Sequence, residues 1–334
     1  MSLIYYPAIQ QRTFLSQREK DRFDHYTNRA VLIEEEKTII KVLQQASKRK
    51  GEVQCTRVYT DDAGVAHAVL AVHNLASGIN FFDLELMEVG SDVMIADMFS
   101  FNQGSTLSNY FREQILVKSK EDEDFTAAYE KLAQAYVLTK TGQWQAALQQ
   151  MDAIPLTYRD QYPDFMAVEA LAILLAEPEQ SYQLLGARMN TLNRERYFAF
   201  QALMYYLEQG YYNQALPMLA TLRKHVGEDN IVLDQIEIAV HLNDGEYERV
   251  HDMTRKWEGS SLSCFEMGLM DAYALVYEGE SNAALEKIAS LNSEYGTMIE
   301  VQEKFDEFWA VSDSVTVARK VITDSLARTE PNEE

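Results

Sequence analysis

Six prolines and fourteen glycines in 334 residues are too few to interrupt the chain often, which leaves room for long helices. Cysteine is scarcer still. Cys55 and Cys264 stand far apart and without ligand-type spacing, so neither a disulfide framework nor a cysteine zinc site is expected. No apolar run approaches the roughly 20 residues that cross a bilayer; the best, Ala170 to Ala176, is far too short. No glycine-rich loop offers to cradle a phosphate. His225, His241 and His251 include no pair at the three- or four-residue spacing that metal ligation on a helix prefers. The expected cofactor and metal complement is therefore none. The opening residues Met1 to Pro7 lack the charged flank and long apolar stretch of a signal peptide. A soluble protein, cytoplasmic by default, is expected, with an exported form whose signal has been removed as the open alternative.

Positive charge is also short: 30 Lys and Arg against 52 Asp and Glu, a net charge of −22. The deficit is uneven. Residues 1–120 carry 14 basic and 15 acidic side chains, the remainder 16 and 37. So acidic a second part argues against nucleic acid and against an anionic membrane as partners, and favours a basic one.

What is present divides the chain in two. Ser16-Gln-Arg-Glu19 has the form of a capping box and predicts a helix running to about Lys50, closed by Gly51. From there β-branched and aromatic residues predict strands at Val53–Thr60, Val65–His73, Ile79–Val89 and Asp92–Phe101. The short turns between them, such as Asp61-Asp62-Ala63-Gly64 and Gly90-Ser91, permit only an antiparallel meander. Phe82, Leu84 and Leu86 alternate with Asp83 and Glu85, which marks the carboxylate face as the wet one. Asp97 shares parity with Val93, Ile95 and Phe99, opposite Met94, Ala96 and Met98; base rates of acid burial place it in water. A last helix is expected from Gly104-Ser-Thr-Leu-Ser108 through Val117. The result is an α+β module over 1–120, one helix plus a four-stranded antiparallel meander, similar in outline to cystatin-type and NTF2-like sheets wrapped on a helix. Cys55, His67, His73 and Asp97 are its reactive side chains. No local signature gathers them into a nucleophilic triad, and no catalytic residue is assigned.

Beyond residue 120 a pattern repeats. Thr141-Gly142-Gln143-Trp144-Gln145-Ala146-Ala147-Leu148 is echoed by Gly210-Tyr-Tyr-Asn-Gln-Ala215-Leu216, Gly245-Glu-Tyr-Glu-Arg-Val250 and Gly279-Glu-Ser-Asn-Ala-Ala284-Leu285. Weaker copies stand at Glu177-Pro178-Glu-Gln-Ser181 and Asp313-Ser-Val-Thr-Val-Ala318. The residue after each turn falls at 147, 181, 215, 250, 284 and 318, a period of 34 to 35 residues. A turn glycine, an aromatic and an Ala-Leu pair at this period resemble a tetratricopeptide repeat. The resemblance covers 121–326, with a polar tail at 327–334. It implies an all-α superhelical solenoid of about six helix hairpins, the last acting as a cap.

The resemblance also implies that the first helix of each hairpin lines a concave groove. Repeat register then places Tyr129, Leu132, Tyr136, Tyr197, Phe200, Met204, Leu269 and Tyr273 there. The Lys, Arg and Asn with which family members hold a peptide's terminal carboxylate are missing from these positions. What remains is an aromatic, apolar trough, filled either from within the chain or by a partner helix or peptide. The function these features imply is a non-enzymatic interaction scaffold for a protein or peptide of basic or amphipathic character, with self-association also open. The alternative is an N-terminal module that binds a small molecule or acts as an enzyme, with the solenoid as scaffold. Since no ligand set has metal spacing, the thermal midpoint is expected to be the same with and without chelator. A shift of several degrees in that melt would contradict the reading.

Overall fold

The structure is a computed structural model that describes residues 4–13, 53–74, 78–120, 122–258, 265–295 and 306–312. The expected helix over 16–50, Cys264, most of the sixth repeat and the tail lie outside the described residues. Packing divides the chain between Val232 and Leu233 into two compact units, a division that falls well beyond residue 120.

In the first unit, a short helix α1 (Tyr6–Thr13) precedes four long strands: β1 (Val53–Thr60), β2 (Ala66–Asn74), β3 (Gly78–Val89) and β4 (Asp92–Ser100). They form an antiparallel meander in chain order, to which a two-residue β5 (Ser105–Thr106) is added at the edge. The turn chemistry is local. Asp61 Oδ1 accepts from the amides of Ala63 and Val65 at 3.0 and 2.7 Å and so closes the first hairpin. Helix α2 (Leu107–Ser119) is capped by Thr106, whose hydroxyl accepts from the Asn109 amide. With α1 it gathers Ile4, Ile9, Leu107, Phe111 and Ile115 into a small core beside Ile95.

Among the described residues of this unit, seven further helices follow: α3 (Glu123–Lys140), α4 (Trp144–Asp152), α5 (Leu156–Gln161), α6 (Pro163–Leu174), α7 (Pro178–Arg188), α8 (Leu192–Gln209) and α9 (Tyr212–Val226). The second unit contains α10 (Ile231–Asp244), which begins at the boundary, then α11 (Tyr247–Trp257), α12 (Phe265–Glu278), α13 (Ser281–Tyr295) and a helical segment over 306–312. The four glycine turns have one construction. Gly142, Gly210, Gly245 and Gly279 adopt φ of 75, 74, 75 and 93°. In each, the amide of the next residue reaches back five positions, Gln143 to Leu138, Tyr211 to Tyr206, Glu246 to His241 and Glu280 to Leu275, at 2.7–2.9 Å. This is the six-to-one bond of a Schellman C-cap, which needs a left-handed residue and hence glycine. The α6–α7 turn has Ala176 instead and starts its second helix on Pro178, whose missing amide costs nothing there. The residues after the turns, Ala147, Ser181, Ala215, Val250 and Ala284, are all buried where paired helices pack most closely.

Helix α8 sits at the centre of the first unit. It buries Arg194, Arg196, Tyr197, Phe198, Ala199, Phe200, Ala202, Leu203 and Tyr206, residues that go all the way round its surface. A helix apolar on every side needs cover on every side. Its neighbours α6, α7 and α9 supply part; Ser181 Oγ on α7, for instance, shares a hydrogen bond with Tyr206 Oη at 2.7 Å. The sheet supplies the rest. Phe200 meets Phe81 edge-on with ring centres 6.1 Å apart. A Cβ on Gly104 would lie 2.6 Å from the Tyr197 ring, so only glycine fits there. Gln201 Nε2 donates to the Asn102 carbonyl at 3.2 Å. At the far edge, Arg57 Nη1 on β1 donates to the carbonyls of Lys224 and His225 at the end of α9.

The sheet face that α8 covers carries Val69, Ala71, Phe81, Asp83, Phe99 and Phe101, all buried. This corrects the expectation of a wet carboxylate face: Asp83 is 2% exposed, because Arg196 on α8 neutralises it. Asp97 is a second correction. It is buried and accepts from Ser108 Oγ at 2.5 Å and from the amides of Ser108 and Met98, at the first turn of α2. There the helix dipole and its free amides offset the cost of burying a carboxylate. Phe200→Ala is expected to cost about 3–5 kcal/mol of stability in a denaturant titration, as for a core aromatic. A cost below about 1 kcal/mol would show that the sheet does not depend on this contact.

Candidate functional site

Positions expected to line a groove have three fates. Leu132 is interior, packed with Phe125, Ala128, Ala135 and Phe165. Tyr197 and Phe200 lie beneath the sheet and are buried. In the second unit, Leu269 joins Phe265, Ala272 and Val276 in a core, and Tyr273 is half-buried with its ring 4.9 Å from Phe308 of the 306–312 segment. Those stretches of the trough are occupied by the chain itself. Tyr129 is half-buried against Phe125 and Phe165, whereas Tyr136 and Met204 are exposed.

Tyr136 and Met204 belong to an exposed apolar stripe on the first unit. Tyr129 Oη on α3 donates to Asp164 Oδ2 on α6 at 2.9 Å, which fixes the register of the two helices. Two turns further along, Tyr136 and Val137 on α3 and Leu171 on α6 are exposed, Val137 at 60%. Leu175 extends the α6 side. On α8, Met204 continues the face of Tyr197, Phe200 and Gln201 one turn past the end of the sheet and is exposed. Burial and the nearby Tyr211, Glu177 and Glu208 push the pKa of Tyr205 above its ordinary value. Lys140 lies over the Tyr136 ring at 5.4 Å.

The reactive side chains of the sheet do not assemble as a nucleophilic triad. Cys55 is an exposed free thiol whose sulfur approaches the Arg57 carbonyl at 3.8 Å. Asp97 is held by Ser108, and the side chain of His73 lies outside the described residues. His67 instead joins Asp83: its Nδ1 is 2.9 Å from Oδ1, and its ring stacks on Tyr59 at 4.6 Å. Asp83 Oδ2 accepts from Tyr59 Oη at 2.6 Å and pairs with Arg196 Nη2 at 2.9 Å. Arg196 also lies near the rings of Phe99 and Phe101, at 5.5 and 5.7 Å. The cluster joins sheet to helix and leaves little space for a reactant: His67 and Arg196 are both buried. The histidines of the helical region are each set against a carboxylate: His225 with Glu195, His241 with Glu246, and His251 with Asp271 and Glu278. Among the described residues no helix is long and apolar enough to cross a membrane.

One buried acid gave no sign in the sequence. Glu113, on α2, is fully buried, and neither carboxyl oxygen has a hydrogen-bond partner of ordinary geometry. Burial, reinforced by the Asp164 carboxylate, pushes its pKa from the usual 4.5 up to about 9, and the Asp164 backbone amide only partly offsets this. Its only sequence signal is an acid at the spacing of Ile115 and Leu116, indistinguishable from a solvent-facing one. Compared with models of protein families, with curated proteins and with solved structures, the chain matches none.

Glu113 makes stability depend on pH with a definite sign. A carboxyl whose folded pKa is raised favours the protonated form, so its contribution is complete below about 4.5 and is lost as pH rises toward 9. The wild type should lose on the order of 3 kcal/mol from this group between pH 4.5 and 7. Glu113→Gln should remove most of that loss, so that the two stability–pH curves meet near pH 4.5 and diverge above it. Parallel curves from pH 5 to 9 would show that Glu113 stays ionised in the folded protein.

Proposed function

We propose that the helical region is a tetratricopeptide-like array of hairpins and that the protein is a non-enzymatic interaction scaffold. Its docking surface is the open stripe of Tyr136, Val137, Leu171, Leu175 and Met204, and its partner presents a basic, amphipathic helix or extended segment. The observation that carries the reading is the exposure of this stripe toward the C-terminal ends of three first helices. Equivalent first-helix positions at Tyr197, Phe200, Leu269 and Tyr273 are covered by other parts of the chain, whereas five apolar side chains at one end of α3, α6 and α8 stand in water. Support for the repeat assignment comes from the four identical glycine caps and the buried post-turn residues at 34- to 35-residue spacing. Support for a basic partner comes from the excess of acid in this part of the chain. The enzymatic alternative draws less support, because Asp97 and His67 belong to separate clusters and the carboxylate beside His67 is neutralised by Arg196.

Proteins captured from native cell extract by the wild type provide the probe, and the purified partner the measurement. Tyr136→Ala and Leu171→Ala should each weaken binding by about 1–3 kcal/mol, as for an anchor at the centre of an interface. Their melting curves should be unchanged, because both side chains are exposed. Raising salt should slow association and leave dissociation nearly constant. Unaltered affinity in both variants would remove the stripe as the docking surface.

A further inference from the structure

Outside that stripe, the helices of the first unit enclose an open cavity of about 300 Å³, lined by Arg159, Arg188, Arg194, Asn190 and Asp152. Beside it lies Glu169 of α6, fully buried. Arg194, 1% exposed at its side chain, holds Glu169 with both terminal nitrogens, Nη1 to Oε2 at 3.0 Å and Nη2 to Oε1 at 2.8 Å. Its Nε donates to the Arg188 carbonyl at 2.8 Å. Arg159 Nη1 reaches Glu169 Oε1 at 3.1 Å, and Arg188 Nη1 reaches the same oxygen at 2.5 Å. One carboxylate thus aligns three guanidinium groups.

The charges do not balance there. After Glu169, two positive charges remain, and Asp152 is the other acid that engages the arginines. It takes Arg188 in a fork, Nη1 to Oδ1 at 2.9 Å and Nη2 to Oδ2 at 3.0 Å, and touches Arg159 Nη1 at 3.4 Å. Asp160, on the neighbouring α5, keeps its charge but is engaged by Thr191 Oγ1 rather than by these arginines. The trio of arginines with Asp152 and Glu169 keeps one net positive charge, within a chain of net −22. The Asp152 side chain is 54% exposed, at the last residue of α4, so it can turn into water without disturbing the packing.

We propose that this cavity binds a small oxyanion, a carboxylate or phosphate, and that Asp152 occupies the position the ligand's oxygens take. The fork between Arg188 and Asp152 is the geometry in which a guanidinium receives either group. Glu169 holds Arg188 and Arg159 in place from the buried side, so little ordering is left to be done on binding. Asn190 adds an amide at the rim. The use of arginine, with its fixed charge, at all three positions keeps the site positive across the physiological pH range.

The test is titration calorimetry of the full chain with inorganic phosphate and, separately, succinate, at ionic strength held constant with chloride. Asp152→Asn, which frees the Arg188 fork and alters an exposed side chain, should bind at least one of the two about tenfold more tightly than the wild type. Which of the two binds identifies phosphate or carboxylate as the ligand chemistry. Adding Arg159→Ala to that variant should reverse the gain. If the double variant does not fold, the comparison of Asp152→Asn with wild type decides alone. Equal affinity in the two proteins, or no heat from either anion with either protein, would overturn the proposal and leave the cluster as a brace.

Discussion

The ion pair between Arg196 and Asp83 is the contact on which the first unit depends. A guanidinium and a carboxylate are both taken out of water at the seam between sheet and helix, which neither tolerates alone. Paired, with Tyr59 and His67 completing the carboxylate's bonds, they let α8 be buried on every side and let the sheet turn its acidic face inward. Removing one partner would leave the other charged in a cavity walled by Phe99 and Phe101. The position of Tyr197 against Gly104 and the seat of α9 on β1 follow from the same closure.

That closure determines which apolar surface remains outside. The sheet reaches along α8 as far as Gln201 and stops, so Met204 is left at the edge of an apolar strip that α3 and α6 continue. On the docking reading proposed above, a bound segment would have to end where the sheet begins.

What the sequence disclosed was whatever is settled within a few residues. Asp61 closes its hairpin through amides two and four positions away, and the residue after each turn glycine bonds a carbonyl five positions back, so strands, turns and hairpins could be read directly. The inner face of the sheet could not. Alternation separates Asp83 and Glu85 from Phe82 and Leu84, and the ordinary preference of acids for water then selects the opposite face. The partner that reverses the choice lies on α8; Arg196 and the Tyr59 hydroxyl it bonds are 137 residues apart. Asp97 was misplaced for a related reason, since the helix start that satisfies it is formed by Ser108 on another element. Glu169 and its arginines gave no pattern at all, because their meeting depends on how four helices pack.

Native-state hydrogen exchange tests the closure of sheet on helix most directly. If the seam holds the first unit together, amides of β2, β3 and β4 and those of α8 should exchange through one opening, their free energies converging as denaturant rises. If the sheet amides instead exchange through a separate opening several kcal/mol below that of α8, the helix does not need the sheet and the account fails.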